Sequence, residues 1–262
     1  MSEVKHVPGS FCWVELTTND REAAKQFYGE LLGWTTNDDP IPDGGVYTMA
    51  SVAGGNVGGM FQITDDMKKQ GVPPHWQVYV SVADADASAA KAKNLGGTVM
   101  MEPFDVMEFG RMAIIKDPAG ASFSIWQPKL HQGYGHAMPQ IGTPCWHELG
   151  TSNVDAAGKF YSSLFNWAPK VQDMEGTQYT MFQVDDKPCG GMMEMQGEQW
   201  AGIPPHWTVY FQVASCAETV AKAEKLGGKV LVPPTPIPNM GGFALLQDGG
   251  GANFGIFESA SK

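Results

Sequence analysis

The feature that most constrains this chain is that it is written twice. Pro73-Pro74-His75-Trp76-Gln77-Val78-Tyr79-Val80 returns 131 residues on as Pro204-Pro205-His206-Trp207-Thr208-Val209-Tyr210-Phe211. After each copy come an Ala/Lys-rich helical run and the same turn, Leu95-Gly96-Gly97 and Leu226-Gly227-Gly228. Cys145-Trp146-His147-Glu148-Leu149 answers Cys12-Trp13-Val14-Glu15-Leu16, Phe160-Tyr161 answers Phe27-Tyr28, and Gly190-Gly191-Met192 answers Gly58-Gly59-Met60. Asp248 to Ile256 answers Asp117 to Ile125. Matches held at nearly one offset along the whole chain are the signature of an internal repeat. With 262 residues, each copy is long enough to bury a core of its own.

Local patterning gives the content of each copy. Phe11–Thr17 alternates with period two, with Cys12, Val14 and Leu16 on one face and Trp13, Glu15 and Thr17 on the other. Asn19 or Asp20 caps a following helix whose apolar face is Ala23, Ala24, Phe27, Tyr28, Leu31 and Leu32, and Gly33 stops it. Short strands are expected at 46–51 and 57–63, and 64–72 reads as a polar connection. From His75 the programme repeats: a strand, a helix near 86–94, then strands at 98–101, 111–116 and 122–127. Each unit thus reads strand-helix-strand-strand-strand. The expected domains are 1–128, with units at about 9–63 and 74–128, and 144–262, with units at about 144–195 and 205–258. Residues 129–143, with Gly133, Gly135, Pro139 and Gly142 and no periodicity, form the linker.

Charge and composition narrow the partners. A formal net charge of −11 with no basic run disfavours nucleic acid. No apolar run is long enough for a membrane span and the N-terminus has no secretory pattern, so the expectation is a cytoplasmic protein, monomeric or homodimeric. The four cysteines show no CxxC spacing and read as small buried hydrophobes.

The opening strand, the helix end Phe27-Tyr28-Gly29-Glu30-Leu31-Leu32-Gly33-Trp34 and the closing Asp117-Pro118-Ala119-Gly120 with Phe123-Ser124-Ile125 resemble the vicinal oxygen chelate superfamily, the glyoxalase, bleomycin-resistance and extradiol-dioxygenase group. Both copies match. The resemblance implies an α+β fold of tandem glyoxalase-like domains, each of two βαβββ units forming a curved mixed sheet around a cavity. It also implies where metal-dependent members carry ligands: here Trp13, Gln77, Ser124 and the Gly58–Met60 region, and in the second copy Trp146, Thr208, Gly255 and Gly190–Met192. Indole, hydroxyl and a single amide are poor donors for a hard divalent ion, so no metal and no other cofactor is expected.

Strand alternation sorts the candidate site residues. In the first copy the cavity set is Trp13, Glu15, His75, Gln77, Tyr79, Arg111, Ser124 and Trp126; in the second it is Trp146, Glu148, His206, Thr208, Tyr210, Asn253 and Phe257. Aromatic walls with a few polar groups suit a small, partly aromatic or apolar molecule. Three functions follow as expectations: metal-independent binding of such a molecule, a glyoxalase-like lyase or isomerase with Glu15 or Glu148 as general base, and a non-catalytic interaction scaffold. His75 and His206, each after Pro-Pro, either contact ligand or tie down a loop; His147 reads as a structural histidine.

Overall fold

The computed structural model describes residues 4–42, 44–136, 139–174 and 177–260. The first copy runs β1 (Phe11–Thr18), α1 (Arg21–Leu32), β2 (Thr35–Pro40), β3 (Val46–Val52), β4 (Gly55–Gln62), a short α2 (Asp65–Lys69), β5 (His75–Ser81), α3 (Ala85–Asn94), β6 (Thr98–Val106), β7 (Gly110–Lys116) and β8 (Ser122–Pro128). The second runs β9 (Pro144–Thr151), α4 (Val154–Phe165), β10 (Ala168–Met174), β11 (Thr177–Val184), β12 (Lys187–Glu194), a 3-10 turn at Glu198–Trp200, β13 (His206–Val213), α5 (Cys216–Lys225), β14 (Lys229–Ile237), β15 (Gly241–Gln247) and β16 (Asn253–Ser259). The strands order as β2-β3-β4-β1-β5-β8-β7-β6 and β10-β11-β12-β9-β13-β16-β15-β14, two open, curved eight-stranded sheets. They are mixed: β1 with β4 and β5 with β8 are parallel, while the hairpins are antiparallel. This is the expected α+β fold of βαβββ units.

Local chemistry accounts for the elements. The Asp20 carboxylate accepts the Ala23 N–H at the start of α1, and Gly33 ends it in the left-handed region. Asn153, Asp84 and Ser215 cap α4, α3 and α5 in the same way. The stretch read as a polar connection contains α2, capped by the Thr64 hydroxyl. Among the described residues no helix is long and apolar enough to cross a membrane.

The compact units do not follow the two copies. One unit comprises residues 1–13, 78–133 and 146–208; the other comprises 14–77, 134–145 and 209–262. In the first unit α3 meets α4, and in the second α1 meets α5. Each is tied by the same buried device. In the first, Tyr161 Oη accepts from Trp207 Nε1 at 2.9 Å and donates to Asp117 Oδ2 at 3.1 Å, while Asp117 Oδ1 accepts the backbone N–H groups of Ala119, Gly120 and Ala121. In the second, Tyr28 Oη accepts from Trp76 Nε1 and donates to Asp248 Oδ2, both at 2.9 Å, and Asp248 Oδ1 takes the N–H groups of Gly250 and Ala252. Burial pushes both tyrosines well above their ordinary pKa, so each stays a donor. Aromatic rings fill in around these ties: Phe123 against Phe160, Tyr161 and Phe165, and Phe254 against Phe27 and Tyr28.

Candidate functional site

In every strand of interest, alternation divides the residues between the two sheet faces. On β1 the apolar set Cys12, Val14 and Leu16 is fully buried, with Trp13, Glu15 and Thr17 on the other face. On β5, Trp76, Val78 and Val80 oppose His75, Gln77, Tyr79 and Ser81; on β8, Phe123 and Ile125 oppose Ser124 and Trp126.

The first unit gathers two of the candidates with a third residue that sequence reasoning did not single out. Trp146 Nε1 donates to Tyr179 Oη at 2.8 Å, and Tyr179 Oη donates to Glu148 Oε2 at 3.0 Å. Trp146 and Glu148 stand on β9 and Tyr179 on β11, with β12 between them. The tyrosine can cross that strand only because residue 191 is glycine. Gly191 pairs with Glu148, and a Cβ there would overlap the Tyr179 hydroxyl. Burial and the charge of Glu148 raise the Tyr179 pKa far above its ordinary value, so its proton stays on the phenol and is shared with the carboxylate. The second unit repeats the element: Tyr47 lies over Gly59, which pairs with Glu15. A signal was present, since Tyr47 precedes Gly59 by the same interval as Tyr179 precedes Gly191.

The other candidates divide. Tyr79 and Ser124 are register partners and both are buried. The Tyr210 ring covers Gly255 and stands near Phe243, while Phe257, the register partner of Phe243, is half-buried. Gln77 is buried and Thr208 half-buried. His75 and His206 each meet a loop carbonyl: Nδ1 lies 2.8 Å from Pro73 O in one and 2.9 Å from Pro204 O in the other. Two candidates are corrected. Arg111 shares the parity of the buried Ala113 and Ile115, and its guanidinium is engaged by Asp86 of α3 at 2.7 Å and by Asp105, so it faces the helix side. Asn253 sits at the exposed start of β16, where its side chain pairs with Gln247.

One further residue comes from the linker. His131 sets its ring edge-on against Trp13 at 4.5 Å, and Trp126 Nε1 donates to its carbonyl at 2.9 Å. Burial pushes its imidazole down to about 4, so it is neutral at physiological pH. His147 is the structural histidine expected, stacked on Phe11 at 4.0 Å and pushed down to about 3 by burial. The cysteines are all unbridged, and burial raises their thiols, Cys145 and Cys189 to about 12.

The ligand positions that the resemblance implies are a poor fit for a metal. Two are indoles, two are hydroxyl groups, one is an amide, and the glycines at 59 and 191 are covered by tyrosine rings. Among the described residues no group of three or more His, Cys, Asp or Glu could hold an ion.

Comparison with known proteins agrees with this architecture. A glyoxalase-like domain model matches residues 13–126, and the model of the glyoxalase/bleomycin resistance protein/dioxygenase superfamily matches 135–256. A Mycobacterium tuberculosis protein that carries the name glyoxylase CFP32 is 39% identical over 252 residues, covering 95% of both chains. The anthracycline biosynthesis protein DnrV of Streptomyces peucetius is 34% identical over 264 residues, 97% of this chain and 94% of its own. In fold, the chain resembles the Mn(II)-bound glyoxalase of Novosphingobium aromaticivorans (TM-score 0.65, 16% identity, 96% of this chain and 82% of that one). It also resembles the 2,3-dioxygenase LapB of Pseudomonas sp. KL28 (TM-score 0.62, 13% identity, 96% and 92%). With two matching domain models in tandem and relatives aligned over nearly its full length, the chain belongs to the glyoxalase/bleomycin resistance protein/dioxygenase family, the vicinal oxygen chelate superfamily.

Proposed function

We propose that this protein binds a small, planar, partly aromatic molecule without a metal. The observation that carries the reading is the Trp146–Tyr179–Glu148 chain of hydrogen bonds, which holds an indole and a carboxylate together in fixed orientation. An indole offers stacking surface, and an oriented carboxylate accepts from a hydroxyl or amine on the ligand. The donor set at the family's ligand positions supports metal independence through its own chemistry. The name of the Streptomyces relative, an anthracycline biosynthesis protein, is in keeping with a planar aromatic ligand. The net charge of −11 supports small molecules rather than nucleic acid as partners. We place the protein in the cytoplasm, as a monomer or homodimer.

The test is a titration of chelator-treated protein with 1,8-dihydroxyanthraquinone, followed by tryptophan fluorescence, with metal content measured in parallel. Saturable quenching that survives chelation is expected, with affinity lowered about tenfold in Trp146→Ala, the scale of one lost aromatic contact. Binding that disappears on chelation and returns with a stoichiometric divalent ion would overturn the metal-free reading.

A second reading, favoured by the Tyr179–Glu148 bond and the glyoxylase name of the Mycobacterium relative, is a lyase or isomerase in which Glu148 or Glu15 takes a proton. Turnover of a hydroxycarbonyl or thiol-adduct substrate, lost in Glu148→Gln or Glu15→Gln with binding retained, would bring it forward.

A further inference from the structure

One imidazole nitrogen of the first compact unit is buried without a hydrogen bond: among the described residues, His131 Nε2 has no partner. Native structures leave few such atoms, and each asks for a cause. The backbone around it is held by several hydrogen bonds. Lys129 N and His131 N both donate to Phe109 O at 3.0 Å, and the His131 carbonyl takes the Trp126 indole N–H. Gly133, at φ +112°, is packed so closely on the Cys12 carbonyl that a side chain would collide with it. The segment 129–133 is thus held by its main chain, while Nε2 of His131, whose ring meets Trp13 and Trp126, has no hydrogen bond.

That side chain occupies a particular seat. Its ring stands edge-on to Trp13 at 4.5 Å and 87°, and to Trp126 at 5.8 Å and 72°. The Trp126 ring in turn covers Gly110, where a Cβ would overlap the indole. A flat, uncharged heteroaromatic ring therefore lies where an aromatic ligand would find two indoles, and its nitrogen is an unmade hydrogen bond. We propose that His131 is the polar anchor of an aromatic-ligand site on Trp13 and Trp126: the imidazole turns aside as a hydroxylated aromatic ring takes its place, and Nε2 hydrogen-bonds the ligand hydroxyl. This rests on the small-molecule reading above, adds to the Trp146 group a second aromatic seat in the same unit, and names the substituent that this seat selects. Neutral imidazole is the form that can accept from a hydroxyl, and burial keeps His131 neutral above about pH 4.

The experiment compares 1,8-dihydroxyanthraquinone with unsubstituted anthraquinone on the full chain, as wild type, His131→Phe and His131→Gln. Wild type is expected to prefer the hydroxylated probe by about tenfold or more, the scale of one hydrogen bond to a buried group. His131→Phe keeps a flat ring on Trp13, so it should keep the wild-type Tm or exceed it while losing the preference. His131→Gln, which retains a hydrogen-bonding group, should keep part of it. In nitrogen-15 spectra the His131 Nε2 resonance should move with the hydroxylated probe and not with the other. Equal preference in wild type and His131→Phe, with a still Nε2 resonance, would refute the anchor and leave the binding reading standing. Failure of wild type to bind either probe would remove both.

Discussion

Tyr28→Phe is the substitution whose outcome bears most directly on the fold. Tyr28 is fully buried, and its hydroxyl accepts from Trp76 Nε1 and donates to Asp248 Oδ2, each at 2.9 Å. Phenylalanine keeps the ring and strands both partners: an indole N–H and a carboxylate oxygen, in a place that water does not reach. A neutral hydrogen bond contributes about 1 kcal/mol and one to a charged group about 1.5–3 kcal/mol. Removing the hydroxyl recovers part of its desolvation, so the net loss should be about 2–4 kcal/mol. At roughly 2–4 °C per kcal/mol for a chain of this size, Tm should fall by roughly 4–16 °C. Asp248→Asn, which replaces the accepting oxygen by an amide NH2, allows a double-mutant cycle in urea, and a coupling of about 1.5–3 kcal/mol is expected. Tyr161→Phe with Asp117→Asn is an internal replicate in the other unit. Additive effects of Tyr28→Phe and Asp248→Asn, or a Tyr28→Phe loss below about 0.5 kcal/mol, would refute the packing of α1 against the turn between β15 and β16.

Gly191→Ala should destabilise by about 1–3 kcal/mol through overpacking, because its Cβ meets the Tyr179 hydroxyl; thermal melts check the loss, and near-ultraviolet circular dichroism should show Tyr179 and Trp146 disturbed. His147 supplies a pH dependence. The unfolded chain takes up a proton near pH 6.5, which the folded state refuses until about pH 3. Stability is therefore lost as pH falls through 6.5, at about 1.36 kcal/mol per unit, or about 2 kcal/mol by pH 5. Asp117 and Asp248, whose pKa values burial raises, act with the opposite sign. The measurement is accordingly the difference between wild type and His147→Phe in urea melts from pH 7 to 5, and a difference that does not change with pH would refute the burial argument.

What could be read in advance were elements with one wholly apolar face turned to the core. The alternation of β1, β5 and β8 and the apolar stripe of α1 are written by the core, so they show in the residues. Strand β2, Thr-Thr-Asn-Asp-Asp-Pro, hides because it is an edge strand, exposed at five of its six positions. With neither face buried, nothing makes its residues alternate. Arg111 misleads for a related reason: a long side chain on the core face near a strand end can carry its charge out to Asp86, so charge alone does not report the face. His131 was illegible because its place is set by the backbone of Phe109 and the indole of Trp126, neither of which leaves a pattern around residue 131.

The exchange of partners between copies was illegible for the opposite reason, since the repeat is too good. Tyr28 and Tyr161 match, as do Asp117 and Asp248, so either tyrosine could meet either aspartate with the same chemistry. What separates the alternatives is chain geometry, and it orders the folding. The Tyr161–Asp117 tie closes a span of 44 residues and the Tyr28–Asp248 tie one of 220. Closing the longer loop in an open chain costs about 1.4 kcal/mol more. Once the first unit is formed, the stretch between residues 28 and 248 is already pulled together, and that excess shrinks. The first unit should therefore form first and shorten the loop that the second must close. In pulse-labelled hydrogen exchange during refolding, α4 and β8 should gain protection before α1 and β16. Tyr161→Phe should delay protection in both units, whereas Tyr28→Phe should delay only the second. Protection of α1 and β16 ahead of α4 and β8, or equal delay of both units by either substitution, would show that loop closure does not set the order.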